Sequence, residues 1–277
     1  MKKSYILIVL STLLISGCAT RSPVVVSEPQ VKVKKEAVIK VKEKVVRPIA
    51  VTKPSADVIM IDHQYFKIAY NLKRRLPEYV TYQLAAEQLR SKSAERKNKF
   101  VPDPYLVDKD LPYVVTSEYN RSGYDRGHLA PSADFAWNQD ANNMTFVMSN
   151  MAPQTPGLNR DAWKRLEDQV RKWACGEEKV TVITGPVLAD NLPTLKSGLE
   201  IPQDFFKIVI DETAPKKMIA FLYHQTDKGN VLKERMVPMN NIEKATGIAF
   251  TQDFPELQSG KMRVPASLNE WKEADCK

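Results

Sequence analysis

Residues 19–57 divide the chain, because they cannot build a hydrophobic core and leave the folding to the residues after them. This segment has no glycine and no aromatic residue, alternates Val with Lys and Glu, and carries four prolines. Charged stretches without aromatics bury too little apolar surface to offset the entropy of ordering. We therefore predict an extended basic tether over residues 18–57 and a single folded domain over residues 58–277, which shows no internal repeat or second linker.

The first 17 residues have the order of an export signal. Lys2 and Lys3 precede an apolar run over residues 5–15 that is too short to cross a membrane, and small residues come directly after it. Residues 14–18 resemble a bacterial lipobox, in which the cysteine is lipidated, and Ala19 favours the outer membrane. We expect an exported lipoprotein anchored at Cys18 on the periplasmic or surface face, with a cleaved signal and an ordinary cysteine as the alternative.

The net charge of +8 lies mostly outside the predicted domain. The signal contributes two lysines, and residues 19–57 contain nine Lys or Arg against four Asp or Glu. About one positive charge therefore remains for residues 58–277. Bulk charge does not support nucleic-acid binding by the folded part, although a local basic patch would.

Two cysteines remain after Cys18, namely Cys175 and Cys276. An exported protein meets an oxidising compartment, where the two thiols can pair and tie the C-terminal tail to the domain. The alternative is a buried thiol at Cys175 and a frayed one at Cys276.

The domain mixes strands and helices without regular βαβ alternation, which predicts an α+β fold with a central, largely antiparallel sheet flanked by helices. The clearest helix covers residues 159–174, where Trp163, Leu166, Val170 and Trp173 share one face. Strands are predicted over residues 65–70, 79–84, 144–149, 180–184, 205–211 and 217–224. The last two should form a hairpin, and a short helix should come next within residues 237–247.

Residues 124–131 read Tyr-Asp-Arg-Gly-His-Leu-Ala-Pro and contain one of three histidines. A histidine is mostly neutral near pH 7 and can accept a proton from water. His128 differs from His63 and His224 because Gly127 precedes it, a proline closes the turn, and an acid and an arginine are adjacent. We predict that His128 is a general base.

Oxygen ligands for a metal lie downstream. Asn150 and Asn159 present amide oxygens, which suit Mg²⁺. A regular helix beginning at Asn159 would put Glu167 about 12 Å further along the axis with an offset of roughly 80°, so the two should not share an ion directly. Arg171 would either pair with Glu167 in an exposed salt bridge or face a phosphate. The scattered histidines and the absence of paired Cys or His motifs exclude a zinc site.

These elements occur together in one known family. The Asp-Arg-Gly-His of residues 125–128, Asn150 with Pro-Gln at 153–154, and Asn159 with the Trp, Leu and Glu that come after it resemble the DNA/RNA non-specific endonuclease family with the ββα-metal finger. Endonuclease G and the secreted bacterial sugar-non-specific nucleases belong to that family. The likeness extends over roughly residues 60–255 and includes segments 183–187, 201–202, 206–207 and 242–247.

The resemblance implies a metal-dependent endonuclease that hydrolyses DNA and RNA with little sequence preference and uses Mg²⁺, with Mn²⁺ as the alternative ion. It assigns His128 as general base, Asn159 as direct Mg²⁺ ligand and Glu167 as holder of metal-bound water. Arg126 and Arg171 would lie near the substrate phosphate, and Asn150 would support the histidine or the substrate. A further family arginine has no clean counterpart, and Arg96 and Lys97 compete for that role.

Two other functions compete with catalysis. A non-catalytic nucleic-acid-binding lipoprotein could capture DNA with its basic tether, and a structural envelope lipoprotein could extend its tether towards the cell wall. The expected partners are DNA and RNA substrates and, through Cys18, a membrane. A homodimer is left open.

Overall fold

The protein is described by a computed structural model, which covers residues 57–276. The predicted signal, Cys18 and nearly all of the tether lie outside the described residues. Within the described range, no helix is long and apolar enough to cross a membrane.

In residues 57–276, eight strands form two sheets. They are β1 (Val58–Asp62), β2 (Lys67–Asn71), β3 (Leu76–Ala85), β4 (Asp125–His128), β5 (Met151–Gln154), β6 (Lys179–Pro186), β7 (Asp204–Asp211) and β8 (Lys217–His224). The larger sheet has the order β1-β2-β3-β6-β7-β8, and every pairing in it is antiparallel. Strands β4 and β5 form a separate antiparallel ribbon. The predicted α+β class is confirmed.

Six α-helices accompany the strands over the same range. They are α1 (Ala86–Arg90), α2 (Pro104–Asp108), α3 (Gln139–Met144), α4 (Trp163–Gly176), α5 (Met239–Thr246) and α6 (Phe250–Asp253). The apolar face of α4 is buried as predicted, and α5 ends where Gly247 adopts the left-handed conformation with φ of 73°.

The central strands are buried on both faces because successive side chains of a strand point to opposite sides. On β7, Phe205 and Val209 pack in the core that contains α4, whereas Phe206 and Ile208 pack in the core that contains α5. This explains why β6, β7 and β8 read as nearly continuous apolar runs.

Five of the six predicted strands are confirmed as β2, β3, β6, β7 and β8. The strand predicted over residues 144–149 is wrong. Met144 ends α3, which Asn138 caps by accepting from the amides of Asp140 and Ala141, and the strand begins only at Met151. Sequence periodicity does not indicate strand β1, because its edge position buries only one residue fully, Ile61.

The C-terminal end of α4 is tied to the end of the chain. Cys175 and Cys276 are joined by a disulfide with Cα atoms 5.5 Å apart. Trp271 packs on Trp173 with ring centroids 5.2 Å apart. At Gly176 a Cβ would lie 2.2 Å from the carbonyl oxygen of Lys272, so only glycine lets the C-terminal segment pass this close.

Candidate active site

The ribbon β4–β5 and helix α4 form a ββα unit beside the main sheet. Residues 125–128 form strand β4, and the turn that Pro131 was expected to close follows the strand as a bend at residues 129–130. His128 pairs with Met151, and Gly127 pairs with Ala152. A Cβ at Gly127 would lie 2.1 Å from Oε1 of buried Gln154, which explains the glycine before the histidine.

His128 lies at the floor of a cleft between two aromatic rings. Its side chain is nearly buried, with 8% exposure, and its ring lies 4.9 Å from Phe146 and 5.6 Å from Phe100, centroid to centroid. Nε2 makes no hydrogen bond within the described residues. Burial, assisted by the positive charge of Arg96, lowers the pKa of His128 to about 3. The imidazole is therefore neutral at physiological pH.

Asn150 is buried behind His128 and does not line the cleft. Its Oδ1 accepts from the amide of Ala130, and its Nδ2 donates to the carbonyl oxygens of Ala130 and Thr145. These bonds fix the segment that leaves β4. Of the two roles expected for Asn150, the geometry matches support of the histidine and not contact with substrate.

Asn159 lies in a π-helical turn, Leu158–Ala162, that precedes α4. The prediction of a regular helix from Asn159 is wrong here, so the angular offset calculated for a regular helix does not apply. Asn159 and Glu167 line the same cleft. Asn159 donates from Nδ2 to Asp125 at 2.9 Å, and Arg160 holds the same carboxylate. Since Nδ2 is engaged, the amide oxygen of Asn159 is the atom left to bind a cation.

Glu167 is partly buried on the cleft side of α4 and, in the part of the chain that the structure describes, makes no hydrogen bond or salt bridge. Burial raises the pKa of its carboxyl group, and the positive charges of Lys207 and Arg171 oppose that rise. A carboxylate without a protein partner is free to accept hydrogen bonds from water in the cleft.

Arg171 does not pair with Glu167, so the exposed salt bridge suggested by the helix alone is not formed. Its guanidinium donates to Asp134 at 2.7 Å and also to Asp168. Asp134 is itself buried and accepts from the hydroxyl of Tyr82 at 2.7 Å. Two carboxylates thus orient Arg171 at the wall of the cleft.

Two further arginines flank the histidine. The guanidinium of Arg126 lies 4.5 Å from the ring centroid of Phe100, and that of Arg96 lies 5.2 Å from Phe146. Arg96 also donates to Ser132 at 2.5 Å. Both arginines line the cleft, whereas Lys97 does not. The position left open between Arg96 and Lys97 is therefore better matched by Arg96.

The cleft has a volume of about 740 Å³ and is strongly basic. Six cationic side chains line it against three carboxylates, in contrast to the nearly neutral domain as a whole. The cationic residues are Arg96, Arg121, Arg126, Arg160, Lys164 and Arg171, and the acidic ones are Asp125, Glu167 and Asp168. Such a concentration of positive charge attracts polyanions.

The other two histidines lie outside the cleft. His63 hydrogen-bonds to buried Asp103 at 2.8 Å, and Ser149 donates to the same carboxylate. The carboxylate therefore lies between the histidine and the serine, and His63 is not placed to act as a base on Ser149. His224 is exposed and pairs with Asp204. Among residues 57–276 no group of three or more His, Cys, Asp or Glu is arranged to hold a metal ion.

The sequence analysis assigned no role to Asp134 or to Lys207. Asp134 accepts from Arg171, and the charge of Lys207 acts on Glu167. Lys207 interrupts an otherwise apolar run in β7 and is 1% exposed. A lysine in the middle of a central strand was the available signal, because such a position forces the charge into the interior.

Comparison with known proteins agrees with this geometry. Residues 49–257 match the family model described as DNA/RNA non-specific endonuclease. A nuclease from Nostoc is 33% identical over 217 residues, covering 73% of this chain and 76% of its own. Human mitochondrial endonuclease G is 33% identical over 206 residues, covering 68% of each chain.

A solved structure supports the same assignment. The crystal structure of an EndoG/EndoGI complex, solved for the mechanism of EndoG inhibition, matches with a TM-score of 0.65 at 27% identity, covering 77% of this chain and 93% of that one. The fold and cleft are those of an α+β nuclease. The chain belongs to the DNA/RNA non-specific endonuclease family and is an enzyme of that class.

Proposed function

We propose that this enzyme hydrolyses phosphodiester bonds in both DNA and RNA with little sequence preference, using His128 as general base and Mg²⁺, or alternatively Mn²⁺, bound at Asn159. The observation that carries the proposal is the neutral imidazole of His128, whose buried Nε2 makes no hydrogen bond to the described residues, in the lining of a cleft with six cationic side chains. A base with no competing hydrogen bond can take a proton from water, and the cations can hold a polyanion over it.

In the proposed reaction the oxygen of a water molecule attacks phosphorus while His128 takes its proton. The bond from phosphorus to the 3′ oxygen breaks, leaving a 5′-phosphate and a 3′ oxygen that takes a proton from a second water molecule to become a hydroxyl, and His128 later returns its proton to solvent. Arg126 and Arg171 bind the non-bridging oxygens, with Arg96 as the third candidate. Asn150 acts by positioning, because its hydrogen bonds fix the backbone next to His128.

The donor atoms fit a hard divalent cation. The amide oxygen of Asn159 and the carboxylate of Glu167 line one cleft, and neither has a hydrogen-bond partner in the described chain. Mg²⁺ prefers oxygen ligands, keeps several waters and needs few protein ligands. We assign Asn159 as the direct ligand and Glu167 to the orientation of nearby water. When bound, the ion would neutralise charge that develops on the phosphate.

The test is a nuclease assay of the full chain on plasmid DNA and on RNA. We expect cleavage of both with Mg²⁺ and none with EDTA. Asn159→Ala should lower kcat/KM about 10- to 100-fold and weaken Mn²⁺ binding measured by electron paramagnetic resonance. Asn241→Ala is the matched control, because Asn241 is exposed on α5, on the other side of the sheet.

The competing functions are outcomes of the same assay. Salt-dependent binding of DNA without turnover by the wild type would favour a non-catalytic nucleic-acid-binding lipoprotein. The absence of both DNA binding and turnover in the wild type would favour a structural envelope role. Mg²⁺-dependent cleavage with unchanged kinetics in Asn159→Ala would overturn the ligand assignment alone.

We further propose that the enzyme is exported and anchored through lipid on Cys18, in the outer membrane. The disulfide between Cys175 and Cys276 supports an oxidising compartment. Cys18→Ala should move the enzyme from the membrane fraction to the soluble fraction of cells, with nuclease activity retained. Equal membrane association of both proteins would contradict the anchor.

A further inference from the structure

Lys207 is a buried ammonium group without a hydrogen-bond partner. It lies on β7 with 1% exposure, and its Nζ makes no hydrogen bond among residues 57–276. Nζ lies 4.7 Å from the ring centroid of Trp163, the first residue of α4. Burying a charge in this way is unfavourable unless opposite charges surround it. The structure therefore needs a compensating charge near Lys207.

The compensating charge comes from the active-site side of α4. Glu167 comes one helical turn after Trp163 and is the strongest favourable charge for Lys207, ahead of Asp134. Of the groups that act on Glu167, Lys207 and Arg171 favour the carboxylate, whereas Asp134 and Asp168 oppose it. Tyr82 of β3 completes the cluster through its hydrogen bond to Asp134.

The two cations of this cluster are not equivalent. Arg171 already donates to Asp134 and Asp168, so its charge is shared between two other carboxylates. Lys207 has no such partner within the described chain and is the largest positive influence on Glu167. Glu167 in turn makes no hydrogen bond to the described residues that would hold its charge.

We propose that Lys207 is a positioning residue for the nuclease reaction, whose ammonium group behind the cleft holds Glu167 as a carboxylate directed at the cleft. This inference rests on the proposed function of Glu167. It gives a physical reason for a buried lysine in a central strand. The free-energy cost of desolvating Lys207 is tolerated because the lysine keeps Glu167, a partly buried acid of the active site, ionised.

Lys207→Met removes the charge and nearly preserves the shape. Without the ammonium group the pKa of Glu167 should rise further, so the acid is protonated over a wider range at low pH. The acidic limb of the kcat/KM profile should therefore move to higher pH by about one unit or more, which is a loss of about tenfold at pH 6. At pH 9 the carboxyl group ionises in either protein, and the rates should converge.

Lys217→Met is the matched control. Lys217 lies on neighbouring β8 with its Nζ 5.2 Å from the ring centroid of Trp271, but it binds Glu177 at 2.8 Å and does not line the cleft. Its replacement should leave the pH profile in place. A second comparison adds Lys207→Met to the Glu167→Gln variant. The second substitution should change the rate by less than about twofold, because the carboxylate whose ionisation Lys207 favours is absent from that variant.

A direct readout does not depend on activity. Carbon-13 NMR of the metal-free protein, with the Glu167 carboxyl signal assigned by its loss in Glu167→Gln, should show a higher titration midpoint in Lys207→Met than in wild type. Lys207→Gln serves as the second variant if the methionine form does not fold. An unmoved midpoint, or a loss of rate that is uniform from pH 6 to 9, would overturn the inference. Inactivity of the wild type would instead overturn the proposed function, and the NMR comparison would still decide the role of Lys207.

Discussion

Replacing His128 by alanine should lower kcat for cleavage of plasmid DNA by about 10²- to 10⁴-fold, the range expected when a general base is removed. The wild-type imidazole is neutral, its buried Nε2 has no hydrogen-bond partner among the described residues, and His128 lines the basic cleft. No other histidine of the described chain lines that cleft. Among the described residues that line the cleft, Glu167 is the only other base without a hydrogen-bond partner. Because Asn159→Ala leaves both His128 and Glu167 in place, the His128 variant should be more severely impaired than the Asn159 variant.

Burial of His128 also determines how the loss of rate in His128→Ala should depend on pH. Because the pKa of His128 lies at about 3, its base form is fully present from pH 6 to 8, and protonation of the imidazole does not limit the wild type there. The ratio of wild-type to His128→Ala rates should therefore be the same at pH 6 and pH 8. A ratio that shrinks tenfold at pH 6 would mean that the imidazole titrates in that interval.

Structural damage must be separated from loss of the base. His128 packs between Phe100 and Phe146, so alanine leaves a small cavity. His128→Gln fills more of that space, and His224→Ala controls for removal of a histidine because His224 is exposed and does not line the cleft. Both His128 variants should show the large loss of kcat, and His224→Ala should keep the wild-type rate. Wild-type kinetics in His128→Ala would refute the mechanism.

Removing the disulfide should produce the largest loss of stability. The bond joins residues 101 positions apart, and for a loop of that length the chain-entropy model gives about 4.7 kcal/mol of stabilisation. We expect Cys175→Ser with Cys276→Ser to lower the free energy of unfolding by about 3–5 kcal/mol, measured by urea denaturation. The melting temperature should fall by roughly 10 °C.

The local structure explains where the loss would begin. Without the bond, the segment that packs Trp271 on Trp173 and passes over Gly176 can leave the C-terminal end of α4. Glu167 and Arg171 are earlier on the same helix, so fraying from this end would reach Arg171 before Glu167. Reductant should destabilise the wild type but not the double variant. An unchanged urea midpoint in the double variant would contradict the prediction.

Sequence periodicity predicted most of the main sheet and the buried face of α4, because both elements bury a regular apolar pattern. It failed at residues 144–149, where apolar residues serve the turn between α3 and β5 and not a strand. It gave no strand at residues 125–128, because a four-residue strand has too few residues to show alternation. Ribbon β4–β5 exists only as a pair, so neither half has a strong signal of its own.

The sequence by itself determined the α+β class, the family and the residue types of the site, since these depend on local periodicity and on the order and spacing of a motif. Tertiary structure alone decided the protonation and pairing of those residues. The low pKa of His128 comes from burial, the free oxygen of Asn159 comes from a bond to Asp125 on another element, and Arg171 turns from Glu167 to Asp134. The charge of Lys207 acts on Glu167 from a strand forty positions later in the chain. Desolvation and Coulomb forces act between neighbours in space, which sequence distance does not reveal.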